Sequence, residues 1–364
     1  MSKAKCFHFI SICFICCCSV FAAELHVPAD YSTIQAAIDA AEAGDEVILA
    51  DGTYAGDGNR DVSFLGKGIT VRSQNGPENC RLNGSGSADE VRAFMFENGE
   101  TSEAVLQGIS IENFQVRAIT VIDSSPRILD CHFISNEGGI YVNGPAHRAS
   151  IEDCLFIDNY PRSSGGGIRT WETEIDIIGC IFIGNQGEYD GGALATWKTT
   201  GVVADCIFDS NLNDAYAAFI DAYGGAVGAW SSQIDFINCL FVDNVVTGDP
   251  IHAYNGFGGA GVFDNNGHSE PNRLLNCTIY GNQALEDAVV GGIYGIQDLT
   301  IRNCIFGNNS GGDFGGTVQN IEYCTSEDHL PGVGNFQDSP QFTDPGNGLF
   351  YLNSTSPCVD AGNA

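Results

Sequence analysis

The stretch Cys131-His-Phe-Ile-Ser-Asn136 decides the fold, because the chain repeats it. It returns as Cys154-Leu-Phe-Ile-Asp-Asn159, Cys180-Ile-Phe-Ile-Gly-Asn185, Cys206-Ile-Phe-Asp-Ser-Asn211 and Cys239-Leu-Phe-Val-Asp-Asn244. Cys277-Thr-Ile-Tyr-Gly-Asn282 and Cys304-Ile-Phe-Gly-Asn-Asn309 complete the series. An apolar residue stands three places before each Cys (Ile128, Ile151, Ile177, Val203, Phe236, Leu274, Ile301), and Asp or Asn immediately precedes most of them. A glycine pair follows each Asn after a variable segment: Gly138-Gly139, Gly165-Gly166, Gly191-Gly192, Gly224-Gly225, Gly258-Gly259, Gly291-Gly292 and Gly315-Gly316.

One copy of this text is too short to bury its apolar side chains alone, so successive copies must stack. Coils of about two dozen residues, each with three short strands and Asn, Asp or Gly at the corners, bury a continuous core. The expected fold is all-β, a right-handed parallel β-helix with an N-terminal capping helix. Stacked Asn side chains are then placed to hydrogen-bond along the axis. The cysteine spacing follows coil length, so the thiols are read as an inward stack of small hydrophobes, poorly angled for disulfides. Sulfurs in a line offer no tetrahedral metal cluster. Cys80, Cys324 and Cys358 are less regular and leave a bridge among them open.

At the N-terminus, Lys3 and Lys5 precede an apolar run from Phe7 to Phe21, with Ala22 and Ala23 after it. That run is shorter than a membrane-spanning helix requires, so residues 1–23 read as a cleaved export signal. No Leu-x-Gly-Cys pattern precedes Cys16, Cys17 or Cys18. Removal of the two lysines takes the formal charge from −31 to −33. Such a surface excludes nucleic acid and anionic lipid as partners and favours cations such as Ca²⁺. The mature chain, 24–364, divides into a cap (24–54), coils (55–341) and a tail (342–364) that wraps the last coil. Ser32-Thr33-Ile34-Gln35 reads as a capping box opening a helix with Ile34, Ala37, Ile38 and Ala41 on one face, stopped by Gly44. Glu46 to Ala50 reads as a strand with Asp51-Gly52 as its turn. Strands are also expected around Ile69 to Ser73 and Ala104 to Ile111.

These residues resemble the pectin-lyase-like family of secreted bacterial parallel β-helix proteins. The opening Val27-Pro28 … Thr33-Ile34-Gln35-Ala36-Ala37-Ile38 … Gly44-Asp45-Glu46-Val47 … Asp51-Gly52-Thr53-Tyr54 is similar to the capping segment of many of them, as is the tail Ser356-Pro357-Cys358-Val359-Asp360-Ala361-Gly362. The Phe-x-x-Asn and Gly-Gly-Ala/Ile repeats also resemble those of chlamydial polymorphic outer-membrane proteins. The resemblance implies the fold and an exported location; the same scaffold carries lyases, hydrolases, adhesins and passive surface proteins. The Asn-Thr-Asp, Gly-His-Gly and Arg-x-Lys signatures of its hydrolytic members are missing, and Asn266-Gly267-His268 only echoes one of them.

A candidate site lies on neighbouring coils. Trp171, Trp197 and Trp230 each fall five residues after the second glycine of a pair, with Arg169 sharing their outward parity. Asp264 and Gln297 occupy the same step in later coils. Ala193, Ala195, Ala226 and Gly228 read as a smooth floor. The segments before the glycine pairs lengthen here and bring Tyr189, Asp190, Asp214, Tyr216, Asp221, Tyr223, Asp249, His252, Tyr254, Glu286 and Asp287 to one corner, as a wall. Indole stacking on sugar rings and carboxylates for hydroxyls together suggest a polysaccharide lying across the coils. The expected function is a secreted or cell-surface, monomeric polysaccharide-binding protein without a transmembrane segment in its mature chain. A lyase or hydrolase of uronic-acid glycans is the alternative, with Arg169, Lys198, Asp190 and Asp264 as candidate catalytic residues. Asp214, Asp221 and Asp249 are the candidate Ca²⁺ ligands. A purely structural or adhesive surface protein is the third reading.

Overall fold

Along each repeat, parity points Phe inward and its two neighbours outward, while Asn turns the corner. A computed structural model, describing residues 22–85, 91–161, 163–214, 221–318 and 320–362, has this arrangement throughout the repeats. Phe133, Phe156, Phe182, Phe208 and Phe241 are fully buried and stack ring on ring at 4.7–4.9 Å, their planes within 6°. That interval is the spacing between neighbouring strands, so backbone pairing itself sets the ring stack.

The asparagines form a second ladder. Asn159 Nδ2 donates to Asn185 Oδ1 and to the Phe133 carbonyl, both at 2.9 Å, and the Asn159 N–H donates to the same Asn185 oxygen at 3.1 Å. The motif runs on through Asn211, Asn244 and Asn282 to Asn309. Each side chain thus satisfies corner backbone groups that strand pairing leaves out. The thiols stack as buried small groups, each Sγ donating to carbonyls, and every cysteine among the described residues is free, including Cys80, Cys324 and Cys358. Burial pushes the Cys80 thiol up to about 12 and raises the Cys154 and Cys277 thiols as well, which keeps these three protonated and inert.

The molecule is a right-handed parallel β-helix. Among the described residues it has three long sheets, of twelve, ten and ten strands. Asp130, Asp153, Asp205, Asn238, Asn276 and Asn303, each just before a ladder cysteine, adopt φ of 49–56°, a left-handed turn that Asp and Asn tolerate. Strands Glu24–Val27 and Glu46–Leu49 begin the twelve-stranded sheet. Helix Ile34–Ala40 buries Ile34, Ala37 and Ile38 against this first coil. Its start differs from a capping box: Thr33 caps through its side chain, while the Gln35 amide reaches Ser63 instead of closing back on Ser32. The helix also ends at Ala40, with Gly44 in the turn beyond it. No helix among the described residues is long and apolar enough to cross a membrane.

The lengthened middle coils add structure of their own. Gln186–Gly187, Leu212–Asp214, Val245–Thr247 and Gln283–Leu285 pair as a fourth sheet, and Ala222–Tyr223 pairs with Gly256–Phe257. At the other end, strands Phe342–Asp344 and Leu349–Leu352 form a hairpin whose Phe342 and Phe350 pack on Tyr280, each at 5.5 Å between ring centres. The tail therefore lies along the flank of the last coils.

Register corrects three expectations. Ile293 pairs with Gly261, so Ile296, not Gln297, follows Asp264 in the tryptophan row. Gly139 aligns with Gly167, which shifts the coil before Trp171 by one residue against its glycine pair. Ala193 and Ala226 are wholly buried in the core and take no part in an outer floor.

Candidate functional site

The outer face of the sheet that carries the tryptophans has two rows, because only alternate residues of a strand face out. One row runs Tyr141, Arg169, Ala195, Gly228, Val262; the other runs Asn143, Trp171, Trp197, Trp230. The three indoles do stack outward on successive coils. Trp171 and Trp197 are parallel within 4° at 5.2 Å, and Trp197 and Trp230 follow at 6.2 Å and 29°. This geometry uses up the ring faces: Trp197 is sandwiched and presents only its edge. Trp171 ends the stack, with the smaller Asn143 in register beyond it.

The wall does not stand apart from the floor; it lies on it. A Cβ on Gly228 would sit 3.0 Å from the Asp190 Cβ and 3.2 Å from the Tyr223 carbonyl. Asp190 accepts the Trp230 Nε1–H at 2.8 Å and the Ser164 hydroxyl at 3.1 Å. Burial raises its carboxyl above the ordinary range, against those two donors and the nearby Arg169. What remains open is a notch of about 20 Å³ between Arg169, Trp171, Asp190, Ala195 and Trp197.

Arg169 is the notable group in it. Its guanidinium carbon lies 6.0 Å from the centre of the Tyr141 ring, and it makes no hydrogen bond or ion pair among the described residues. Other basic side chains here are occupied: Lys198 pairs with Glu172 at 2.7 Å, and Arg148 with Asp176 and Glu174. Arg117 donates to the carbonyls of Gly165 and Ser164, bracing the corner beside Arg169; burial and then the Arg169 charge lower it to about 9. Spacing from the glycine pairs hid Tyr141, because its coil is the one shifted by a residue.

The remaining wall residues are spread out. Tyr223 stands edge-on to Trp230 at 4.9 Å and stacks on Phe257 at 5.2 Å; burial and then Asp221 push its hydroxyl up to about 12. Tyr294 continues that column beside Phe257, and neither of these two rings was marked by the repeat pattern. Tyr189 contributes its carbonyl, which accepts from Tyr223 N–H and Asn213 Nδ2. His252 Nδ1 meets Asp249 at 2.6 Å, with Tyr254 beside the imidazole. Tyr216 lies outside the described residues.

Two sets of candidates do not assemble. Asp214 accepts from Thr247, Asp221 from the Asn255 N–H and Tyr223, and Asp249 from His252 and two backbone amides. Among the described residues no three acidic, His or Cys side chains converge as a metal cluster. Asp264, expected to face out, is buried and accepts the Asn266 and Ser231 backbone amides, shaping its own loop.

A family model described as a right-handed β-helix region matches residues 123–294. Among solved structures, the chain is similar to pectate lyase Pel9A, with a TM-score of 0.55 and 14% identity over 95% of this chain and 93% of that one. It is also similar to the PL6 family alginate lyase AlyGC, with a TM-score of 0.48 and 14% identity over 92% of this chain and 56% of that one. At this identity the first likeness establishes the fold. No curated protein sequence matches the chain.

Proposed function

We propose that this is an exported protein that binds extracellular polysaccharide on the outer face of its tryptophan sheet, at the coils of Tyr141 and Arg169. The observation that carries the reading is the uncommitted Arg169 guanidinium, half-buried over Tyr141 in a strongly acidic chain. Such a group donates to sugar hydroxyls or carboxylates, while the terminal indole Trp171 offers the apolar surface that a pyranose ring requires. Contact is then made at the end of the indole stack, over Asn143, and not along its edge.

Binding is favoured over catalysis by the chemistry of the notch. A hydrolase uses two carboxyl groups across the bond, and among the described residues Asp190 is the sole carboxylate lining the notch. Lys198 is held by Glu172 and does not line the notch. The raised Asp190 carboxyl and the uncommitted Arg169 beside it favour an enzyme.

The test uses purified residues 24–364 against a panel of neutral and uronic polysaccharides, with titration calorimetry and a reducing-end assay run side by side. Binding without new ends, lost about ten-fold or more in Arg169→Ala and Trp171→Ala, supports the proposal. New reducing ends that vanish in Asp190→Asn establish the enzymatic reading instead. Affinity for every bound glycan surviving both Ala substitutions would refute the site.

A further inference from the structure

The outer face of the phenylalanine sheet takes no part in that site. With each Phe pointing in, Leu155, Ile181, Ile207 and Leu240 share one outward row, and Ile157, Ile183, Asp209 and Val242 lie in the next. Ile183 is 36% exposed, and Ile178, just before the corner, 39%. A solvent-facing strand ordinarily turns polar residues outward. A continuous aliphatic stripe outside a folded chain marks a surface that is covered in use.

Two observations bear on what covers it. The first is that this chain's own tail already covers the continuation of the second of these rows. Tyr280, in register with Val242, is clasped by Phe342 and Phe350, Pro340 lies beside Gly307, and Val242 is only 6% exposed. An apolar ridge therefore seats on this sheet, and the tail's ridge stops at Val242, beside Leu240 at the end of the half-buried aliphatic row and across Asp209 from Ile183. The second is charge. Asp153 and Asp205 border the stripe at one corner, and Asp158 and Asp243 at the other, none in an ion pair among the described residues.

We propose that the stripe from Leu155 to Leu240 is a docking surface for a partner polypeptide whose apolar ridge is flanked by Lys or Arg and lies next to the row that the tail covers. A second copy of this chain fits badly, because it would bring rows of aspartate against rows of aspartate. Leu155 to Leu240 spans three strand intervals, roughly 14 Å. That is the length of about ten residues of α-helix.

The probe is a fluorescein-labelled 14-residue amphipathic peptide of Leu and Lys, with a twin carrying Glu in place of Lys, titrated with residues 24–364 and read by anisotropy. The Lys peptide binds and the Glu peptide does not. Ile207→Glu weakens binding about ten-fold or more although it adds negative charge, and Asp153→Asn with Asp205→Asn weakens it several-fold. Ile181→Ser, a milder change on the same row, gives the same direction should the glutamate variant fail a circular-dichroism check. Unchanged or stronger binding to Ile207→Glu and Ile181→Ser reduces the effect to net charge and overturns the proposal. So does equal binding of the Glu peptide, or a wild-type dimer in sedimentation equilibrium that Ile207→Glu dissociates.

Discussion

Asn185→Ala tests the physical account of the ladder. Asn185 is fully buried; its Nδ2 donates to the Phe156 carbonyl at 2.9 Å and Asn211 Oδ1 at 3.1 Å, and its Oδ1 accepts the Asn159 N–H and Nδ2. Alanine leaves two buried backbone groups without these partners, the Asn159 N–H and the Phe156 carbonyl. Asn159 Nδ2 keeps Phe133, and Asn211 Oδ1 keeps the Asn185 N–H, so the damage stops at one coil. At about 1–3 kcal/mol for each stranded group, the expected loss is about 4 kcal/mol. Asn309→Ala, at the wetter end of the ladder, costs about 1–2 kcal/mol because water replaces the missing partner. Urea unfolding followed by tryptophan fluorescence measures both, with a second probe to check that the stack still unfolds as one unit. A loss under about 1 kcal/mol for Asn185→Ala, or equal losses at the two sites, would refute the reasoning. Asn185→Asp sharpens it. A carboxylate there faces the Phe156 and Ile183 carbonyls and Asn211 Oδ1, so its folded pKa is raised. That variant is close to wild type in acid and loses stability as pH rises above the unfolded carboxyl value of about 3.9.

The Asp190 carboxyl, raised by burial, makes the folded state lose stability as pH climbs from the ordinary carboxylate range through that raised value. Asp190→Asn therefore flattens the thermal midpoint measured against pH over this window. Asp249 has the opposite sign: burial works to raise it, but His252 and the backbone amides outweigh that and hold it low. Its contribution is present above the ordinary carboxylate range and fades as pH falls through the lowered value, so the gap between wild type and Asp249→Asn closes in acid. Gly228→Val drives a side chain into Asp190 and the Gly191 and Tyr223 backbone, and the lifted wall exposes Trp230 to acrylamide quenching. Lys198→Ala breaks one exposed pair with Glu172 and shifts stability by about 0–1 kcal/mol in the same urea assay.

The solenoid is legible in the order of the residues alone. Cysteine, phenylalanine and asparagine recur at fixed offsets from one another, and a repeating unit that cannot bury its own apolar face has to stack on its neighbours, so the thiol, ring and amide ladders follow from spacing and parity. The outward stack of Trp171, Trp197 and Trp230 was legible for the same reason. Tertiary structure decided how lengthened corners fold back, since an insertion carries no repeat to fix its direction. Asp190 reaches 40 residues along the chain to Trp230, closing the expected groove to a notch. It also decided the one-residue register shift that sets Tyr141 against Arg169, and the consumption of the indole faces by one another, because strand spacing leaves no room for a sugar between stacked rings. Periodicity fixes which residues stand above one another; only the packed chain fixes what lies across them.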